Sequence, residues 1–176
     1  MKKVFVSQPF LGKAEVDAVS LALSKSEISG LNGSFIGEFE SRFATYCDCR
    51  FGVAVSSGTT ALHLALVALG IKRNDEVLVS TLTNMATFFA VLYQGAVPVP
   101  IDIEADTLNM DTSLLESKIT PKTRAIIVVH LFGHPVDMDP VNDIAKKHNL
   151  FVVEDCAEAH GALYKDKKVG SLSDAG

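Results

Sequence analysis

Two adjacent carboxylates, Glu154 and Asp155, end the apolar run L-F-V-V, and a third, Glu158, follows three residues later. The run is typical of a strand buried on both faces, where an ionised carboxylate costs several kcal/mol unless a partner compensates it. Either these acids reach water at the strand end, as a solvated pair or a magnesium site, or one of them faces a bound cation. The sharper interpretation pairs Asp155 with the protonated nitrogen of a heterocycle such as a pyridinium ring.

A second candidate site is S-S-G-T-T (Ser56 to Thr60), which lies between a predicted strand and the start of a predicted helix. Gly58 permits close approach to the backbone, and the free amides of a helix N-terminus can hold a phosphate together with neighbouring hydroxyls. The same residues would also make an ordinary Ser/Thr N-cap, so the motif alone leaves both interpretations open. The motif matches neither the Walker P-loop nor the G-x-G-x-x-G fingerprint, which argues against a mononucleotide or dinucleotide site. A phosphate site and a carboxylate at neighbouring strand ends would suit the two ends of pyridoxal 5′-phosphate (PLP).

The histidines offer a possible metal site. His130 and His134 lie in H-L-F-G-H-P-V-D-M-D, whose side-chain types can bind metals. The pattern is more typical of a strand end, a turn and a capped helix start, and nothing fixes the ligands on one face, so we expect no metal. His63 lies in an apolar helix and is interpreted as a core or interface histidine. His160 follows the predicted ring site within one turn and is a candidate to face a ligand.

The elements that would position these groups alternate between strands and helices from Phe51 onward. Val- and Ile-rich runs without alternation indicate strands of a parallel sheet covered by helices. This predicts an α/β fold with right-handed crossovers, in which ligands bind beyond the carboxyl ends of the strands. Pro98 and Pro100 make one strand an edge candidate. The predicted strands are 51–55, 76–80, 97–101, 124–131 and 150–155; the predicted helices are 13–24, 35–46, 59–69, 85–93, 111–118 and 139–148.

Composition excludes several classes of function. The 176 residues are 48% hydrophobic and 21% charged, enough for a substantial core in one domain or part of a larger one. A net charge of −5 without Lys/Arg runs argues against nucleic-acid and membrane-surface binding. The first apolar run is too short for a signal peptide, no stretch is long enough to span a membrane, and the three cysteines fit a reducing compartment. We therefore expect a cytoplasmic protein.

The motifs occur in an order that resembles one known family. They are S-G-T-T-A-L-H-L-A-L-V-A-L-G-I, D-E-V-L-V-S-T-L-T, G-A-V-P-V-P-I-D-I, R-A-I-I-V-V-H-L-F-G-H-P-V-D-M-D and V-V-E-D-C-A-E-A-H-G-A. Together they resemble the DegT/DnrJ/EryC1/StrS sugar aminotransferases, and E-D-x-A-E-A-x-G-A resembles the perosamine synthase branch. The resemblance implies a three-layer sandwich: an N-terminal helical segment (1–50), then part of the PLP-binding large domain of fold type I enzymes (51–176).

The resemblance also implies an activity and roles for individual residues. The enzyme would be a homodimer that uses PLP to move an amino group from glutamate to a nucleotide-linked 4-keto-6-deoxy sugar. Asp155 would be the catalytic carboxylate at the pyridinium nitrogen, and Glu158 would lie near the hydroxyl side of the ring. The other implied contacts are Gly58 and Thr59 with the cofactor phosphate, and Ser29 and Gly30 with the sugar nucleotide.

The sequence departs from the family pattern at two places. Asn84 stands where many relatives have an aromatic residue that stacks on the ring, so Asn84 remains a candidate cofactor contact only. In the family, G-S-L-S-D-A-G continues into S-F-x-x-x-K, whose lysine forms the Schiff base, whereas this sequence stops at Gly176. We therefore expect a fragment that lacks this lysine and the small C-terminal domain. Two alternatives stay open: a PLP-dependent sugar dehydratase of the same family, or a catalytically inactive fragment.

Overall fold

A computed structural model of the protein describes Lys3, residues 8–30 and residues 33–176. Its centre is a parallel sheet of four strands in the order β2-β1-β3-β4. All four strands therefore end at the same edge, and the predicted α/β class with a parallel sheet is confirmed. Strand β2 lies at an edge because Pro98 and Pro100 have no amide proton. One side of the strand therefore cannot donate the hydrogen bonds that a second neighbour would need. The strands are β1 (Glu76–Ser80), β2 (Val97–Ile101), β3 (Thr123–Val129) and β4 (Phe151–Asp155).

Helices cover both faces of this sheet. Successive strand residues point to opposite faces, so Val77 and Val79 of β1 pack with the first pair of helices while Leu78 packs on the other side. The result is the three-layer sandwich that was predicted. The first face carries α3 (Gly58–Ala68) and α4 (Met85–Tyr93); the second carries α5 (Leu115–Lys118), which a 3₁₀ turn (Thr112–Leu114) precedes, and α6 (Met138–His148).

Two further helices precede the sheet, and a small hairpin follows it. They are α1 (Lys13–Ser24) and α2 (Ser34–Tyr46), as predicted, and β5 (Leu163–Tyr164) pairs antiparallel with β6 (Lys167–Lys168). Lys165 and Asp166 form the hairpin turn with φ of 48° and 65°, as a two-residue type I′ turn requires. Lys165 therefore lies in the turn itself, and Lys167 and Lys168 form the strand that follows it.

The predicted strand at 51–55 is wrong. The segment has no regular secondary structure and belongs to neither sheet of the described chain. Instead, the Ala54 amide donates to Glu40 Oε1 of α2 at 2.8 Å, and the side chains of Phe51 and Val53 are largely exposed. An apolar run with β-branched residues predicts an extended backbone, but a strand also needs a neighbour for its amides and carbonyls.

Two expectations concern residues outside the described ranges. Residues 4–7, which belong to the apolar run judged too short for a signal peptide, are among them. So are residues 31 and 32, which lie between the predicted helices 13–24 and 35–46. Within the described ranges, every helix is too short or too polar to cross a membrane.

Candidate active site

The candidate site lies at the carboxyl ends of the strands, where the amino ends of α3 and α4 also lie. Helix α4 begins at Met85, shortly after β1 ends at Ser80, and leads within three residues into β2. Helix α3 leads by a short connection into the start of β1. Both helices therefore run antiparallel to the strands and direct their N-termini to the carboxyl edge of the sheet, where open α/β sheets bind ligands.

Asp155 is a buried carboxylate with neutral partners. Its Oδ2 accepts a hydrogen bond from the Thr87 hydroxyl of α4 at 2.9 Å, and its Oδ1 accepts one from the Ala157 amide at 3.2 Å. The residue is only 9% exposed. Among the ion pairs of the described residues, none involves Asp155. A buried carboxylate whose charge no protein cation compensates fits a cationic ligand, as the sequence predicted.

The amino end of α3 has the features of an anion site. The Ser57 hydroxyl caps the helix by accepting from the Thr60 amide at 3.2 Å, so the N-cap that the sequence left open does form. The amides of Gly58 and Thr59 are donors of the first turn, which lack partners inside a helix. A Cβ added to Gly58 would meet no atom within 4 Å in the described chain. The open surroundings of Gly58 and the first-turn amides of the helix are compatible with the phosphate end of PLP.

Glu158 and Asn84 both lie at the carboxyl edge but already have backbone partners. Glu158 Oε2 accepts from the amide of Phe132, the central residue of a 3₁₀ turn (Leu131–Gly133) after β3, at 3.0 Å. Asn84 is the N-cap of α4, and its Oδ1 accepts from the Ala86 amide at 3.0 Å. The cap explains an Asn at this position without a cofactor. Cofactor contacts of both residues stay predictions.

The three candidate substrate residues lie on or beside the N-terminal helices. Ser29 and Gly30 belong to the loop between α1 and α2, and Glu27 ties this loop to α2 by accepting from the Ser34 amide and hydroxyl at 2.8 and 2.9 Å. The His160 ring is exposed and lies edge-on to Phe43 of α2, with centroids 6.2 Å apart. His160 thus contacts the N-terminal helical segment, and its substrate role stays a prediction.

Glu154 points to the opposite face from Asp155, which answers why the strand ends in two acids. It is 1% exposed, and its carboxylate accepts from His130 Nε2 and from the Gly170 and Leu172 amides. Burial is the largest influence on the Glu154 pKa and would raise it, but the hydrogen bonds, including one from Ser173, together lower it. Sequence reasoning missed these partners because they lie 16 to 24 residues away.

The predicted metal-type residues separate into two groups. The acids of the D-M-D motif, Asp137 and Asp139, contact Tyr164 and Lys165 of the hairpin. His130 instead lies with Glu154 and Cys156, and one ligand-type atom from each falls within a 4.8 Å cluster. The three groups are already engaged: His130 Nδ1 accepts from the Val136 amide, the other ring nitrogen of His130 faces Glu154, and burial raises the pKa of the Cys156 thiol well above its ordinary range, which disfavours the thiolate that a metal binds. A metal here would have to displace these hydrogen bonds.

The fold has counterparts among solved structures. An aminotransferase from Psychrobacter cryohalolentis superposes with a TM-score of 0.92 at 40% identity, over 97% of this chain and 43% of that one. The GDP-4-keto-6-deoxy-D-mannose-3-dehydratase of E. coli with bound hydrated PLP superposes with a TM-score of 0.87 at 28% identity, over 96% of this chain and 44% of that one. The chain therefore has the fold of part of the large domain of fold type I PLP aminotransferases.

Sequence comparison identifies the family. The profile of the DegT/DnrJ/EryC1/StrS aminotransferase family matches residues 9–176, and the chain belongs to this family. GDP-perosamine synthase of Caulobacter vibrioides is 48% identical over 174 residues, which cover 99% of this chain and 47% of that protein. The chain thus spans about half the length of the relatives it matches.

Proposed function

We propose that the protein binds PLP and acts in the transfer of an amino group from glutamate to a nucleotide-linked 4-keto-6-deoxy sugar. The observation that carries this proposal is the buried carboxylate of Asp155, which no cation of the described residues compensates, at the same sheet edge as the open amino end of α3. Membership of the sugar aminotransferase family and the similarity to GDP-perosamine synthase support the substrate class.

In this proposal the residues of the chain bind and orient the cofactor. PLP, when bound, supplies an electron sink for bond breaking at the amino-bearing carbon. Asp155 holds a proton on the ring nitrogen, and the Thr87 hydroxyl fixes the plane of that carboxylate. The Gly58 and Thr59 amides hold the phosphate. Glu158, which accepts from the Phe132 amide, would lie near the hydroxyl side of the ring.

Replacing Asp155 by Asn in the full-length protein tests the proposal. The amide keeps the shape but not the charge, so turnover with glutamate should fall by about 10²- to 10⁴-fold, the range for loss of a positioned acid–base group. Affinity for PLP should fall much less, because the phosphate site remains. Asp139→Asn removes a surface carboxylate that pairs with Lys165 and serves as the matched control. Near-unaltered turnover of Asp155→Asn would exclude the role.

A sugar dehydratase of the same family is the second candidate, favoured by the similarity to the E. coli dehydratase. The two activities differ in the product from the same substrate class. An aminotransferase places nitrogen on the sugar, whereas a dehydratase removes a hydroxyl and leaves no nitrogen in the sugar. Mass spectrometry of the product separates them.

A further inference from the structure

We propose that Glu154 is a positioning residue that fixes residues 170–175 against the free edge of β4 and so sets the geometry of the strand end that carries Asp155. The anchoring role stands on the contacts of the described chain alone. Its consequence for the reaction rests on the proposed function.

Four donors from two sides of β4 converge on the Glu154 carboxylate. Oε1 accepts from the Leu172 amide and the Ser173 hydroxyl, each at 2.8 Å. Oε2 accepts from the Gly170 amide at 2.7 Å and from His130 Nε2 at 3.2 Å. Glu154 and His130 are both buried. A buried carboxylate is stable when each oxygen receives hydrogen bonds, so this residue is satisfied by the segment that it binds.

The partner histidine is neutral and connects Glu154 to the turn after β3. His130 Nδ1 accepts from the Val136 amide at 3.0 Å, which leaves the ring proton on Nε2, directed at Glu154. The His130 amide in turn donates to the Asp155 carbonyl at 3.1 Å. The ends of β3 and β4 and the 170–173 segment thus meet at one carboxylate.

Residues 174 and 175 also form backbone hydrogen bonds with β4, in parallel orientation. The Asp174 amide donates to the Val152 carbonyl at 3.1 Å, and the Glu154 amide donates to the Ala175 carbonyl at 2.8 Å. Ala175 lies opposite Val153 in parallel orientation. The segment therefore runs toward the carboxyl edge of the sheet, and any residues after Gly176 start close to the level of Asp155.

The arrangement requires a carboxylate rather than an amide. Three of the four partners, the two amides and His130 Nε2–H, can only donate in this geometry. A glutamine would direct its NH₂ group at donors on one of the two sides, whichever way it turned. Glu154→Gln therefore conserves shape and burial while breaking at least one of these hydrogen bonds, which makes it a sharp probe of positioning.

Amide hydrogen exchange on the protein without added cofactor tests the anchor. Glu154→Gln should accelerate exchange at Gly170, Leu172 and Glu154 itself by about tenfold or more, the expected loss for buried hydrogen bonds to a charged group. Ser173→Ala removes one donor and keeps the charge, so it should give a smaller effect in the same residues. Glu116→Gln removes a surface carboxylate that pairs with Lys147 and His148, and should leave these amides unchanged.

The consequence for the reaction is read on the full-length protein with PLP. Glu154→Gln should lower kcat with glutamate more than it raises KM and should shift the pH titration of the cofactor absorption band, while Glu116→Gln should do neither. Unchanged exchange at Gly170 and Leu172 in both Glu154→Gln and Ser173→Ala would overturn the anchoring role. Accelerated exchange with an unaltered kcat and band would overturn the positioning role. Failure of the unaltered protein to bind PLP would count against the proposed function and leave the exchange result valid.

Discussion

The hydroxyl of Thr87 donates to Asp155 Oδ2 across 2.9 Å, in a contact that joins α4 to the end of β4. The Thr83 hydroxyl lies 2.8 Å from that of Thr87, so a short chain of hydroxyls leads from the loop after β1 to the buried carboxylate. Thr87 is completely buried. The side chain of a helical threonine has few rotamers because it is β-branched. Its hydroxyl can therefore hold the carboxylate in one orientation with little loss of side-chain entropy.

Thr87→Val should weaken PLP binding without unfolding the protein. Valine has the same shape but cannot donate, so Asp155 would lose its hydroxyl partner and its fixed orientation. We expect roughly a tenfold loss of PLP affinity, in line with a hydrogen bond to a charged group. Thr45→Val on α2, where the hydroxyl donates to the Ser41 carbonyl of its own helix, is the matched control. Equal PLP affinities of the two variants would show that Thr87 does not contribute to PLP binding.

Gly58→Ala should separate binding from stability. The added methyl group meets no protein atom within 4 Å, and alanine is favoured over glycine in helices by up to about 1 kcal/mol, so the free energy of unfolding should stay equal or rise. The same methyl group adds bulk beside the Gly58 amide, which the phosphate would approach, so PLP affinity should drop. Gly37→Ala on α2 is also unhindered and should change stability alone. Full PLP affinity of Gly58→Ala would contradict the phosphate assignment.

Gly161→Ala should destabilise the contact between α2 and the residues after β4. Gly161 and Gly70 have similar φ values of 82° and 77°, so both alanine variants carry a strain of roughly 1 kcal/mol or more. At Gly161, in addition, the new Cβ would lie 2.5 Å from the Tyr46 hydroxyl, whereas at Gly70 it would meet no described atom within 4 Å. The Lys168 ammonium lies over the Tyr46 ring and hinders the ring from moving away from this clash.

Urea titrations of both glycine variants should therefore rank Gly161→Ala as the less stable. Tyr46→Phe removes the clashing oxygen and should recover part of the difference in the double variant. Equal urea midpoints for Gly161→Ala and Gly70→Ala would show that the Tyr46 hydroxyl does not pack against Gly161.

Acid should remove the contribution of Glu154 to stability. Its pKa is lowered in the folded chain from an ordinary value of 4.5, so the stabilisation is complete above pH 4.5 and is lost as the pH falls through the lower folded value. The titratable groups that face it are His130, Cys49 and Cys156. The stability difference between the unaltered protein and Glu154→Gln should shrink below pH 4.5. A difference that grows toward acid pH would contradict this sign.

The sequence predicted the sheet and most helices because their patterns are local. Runs such as E-V-L-V-S and V-P-V-P-I contain their own strand signals, and the prolines correctly indicated an edge. The strand at 51–55 failed because strand formation depends on a neighbour that no local pattern reveals. The need of Asp155 for a partner could be predicted from the free-energy cost of burying a carboxylate at the end of a buried strand.

The partners of the site residues could not be predicted in the same way. Thr87 lies 68 residues before Asp155, and an apolar helix gives no sign that one of its threonines faces a carboxylate. Glu154 was grouped with Asp155 as one acidic pair, although alternation along a strand separates them to opposite faces. That alternation was available in the sequence and would have distinguished the two acids.

The most direct test of the central claim is transfer of ¹⁵N from labelled glutamate to a GDP-linked 4-keto-6-deoxy sugar by the full-length protein with PLP, followed by mass spectrometry of the sugar. The account predicts a product that contains ¹⁵N and that disappears with Asp155→Asn but persists with Asp139→Asn. A product that has lost a hydroxyl and contains no nitrogen, or no conversion by a protein that binds PLP, would contradict it.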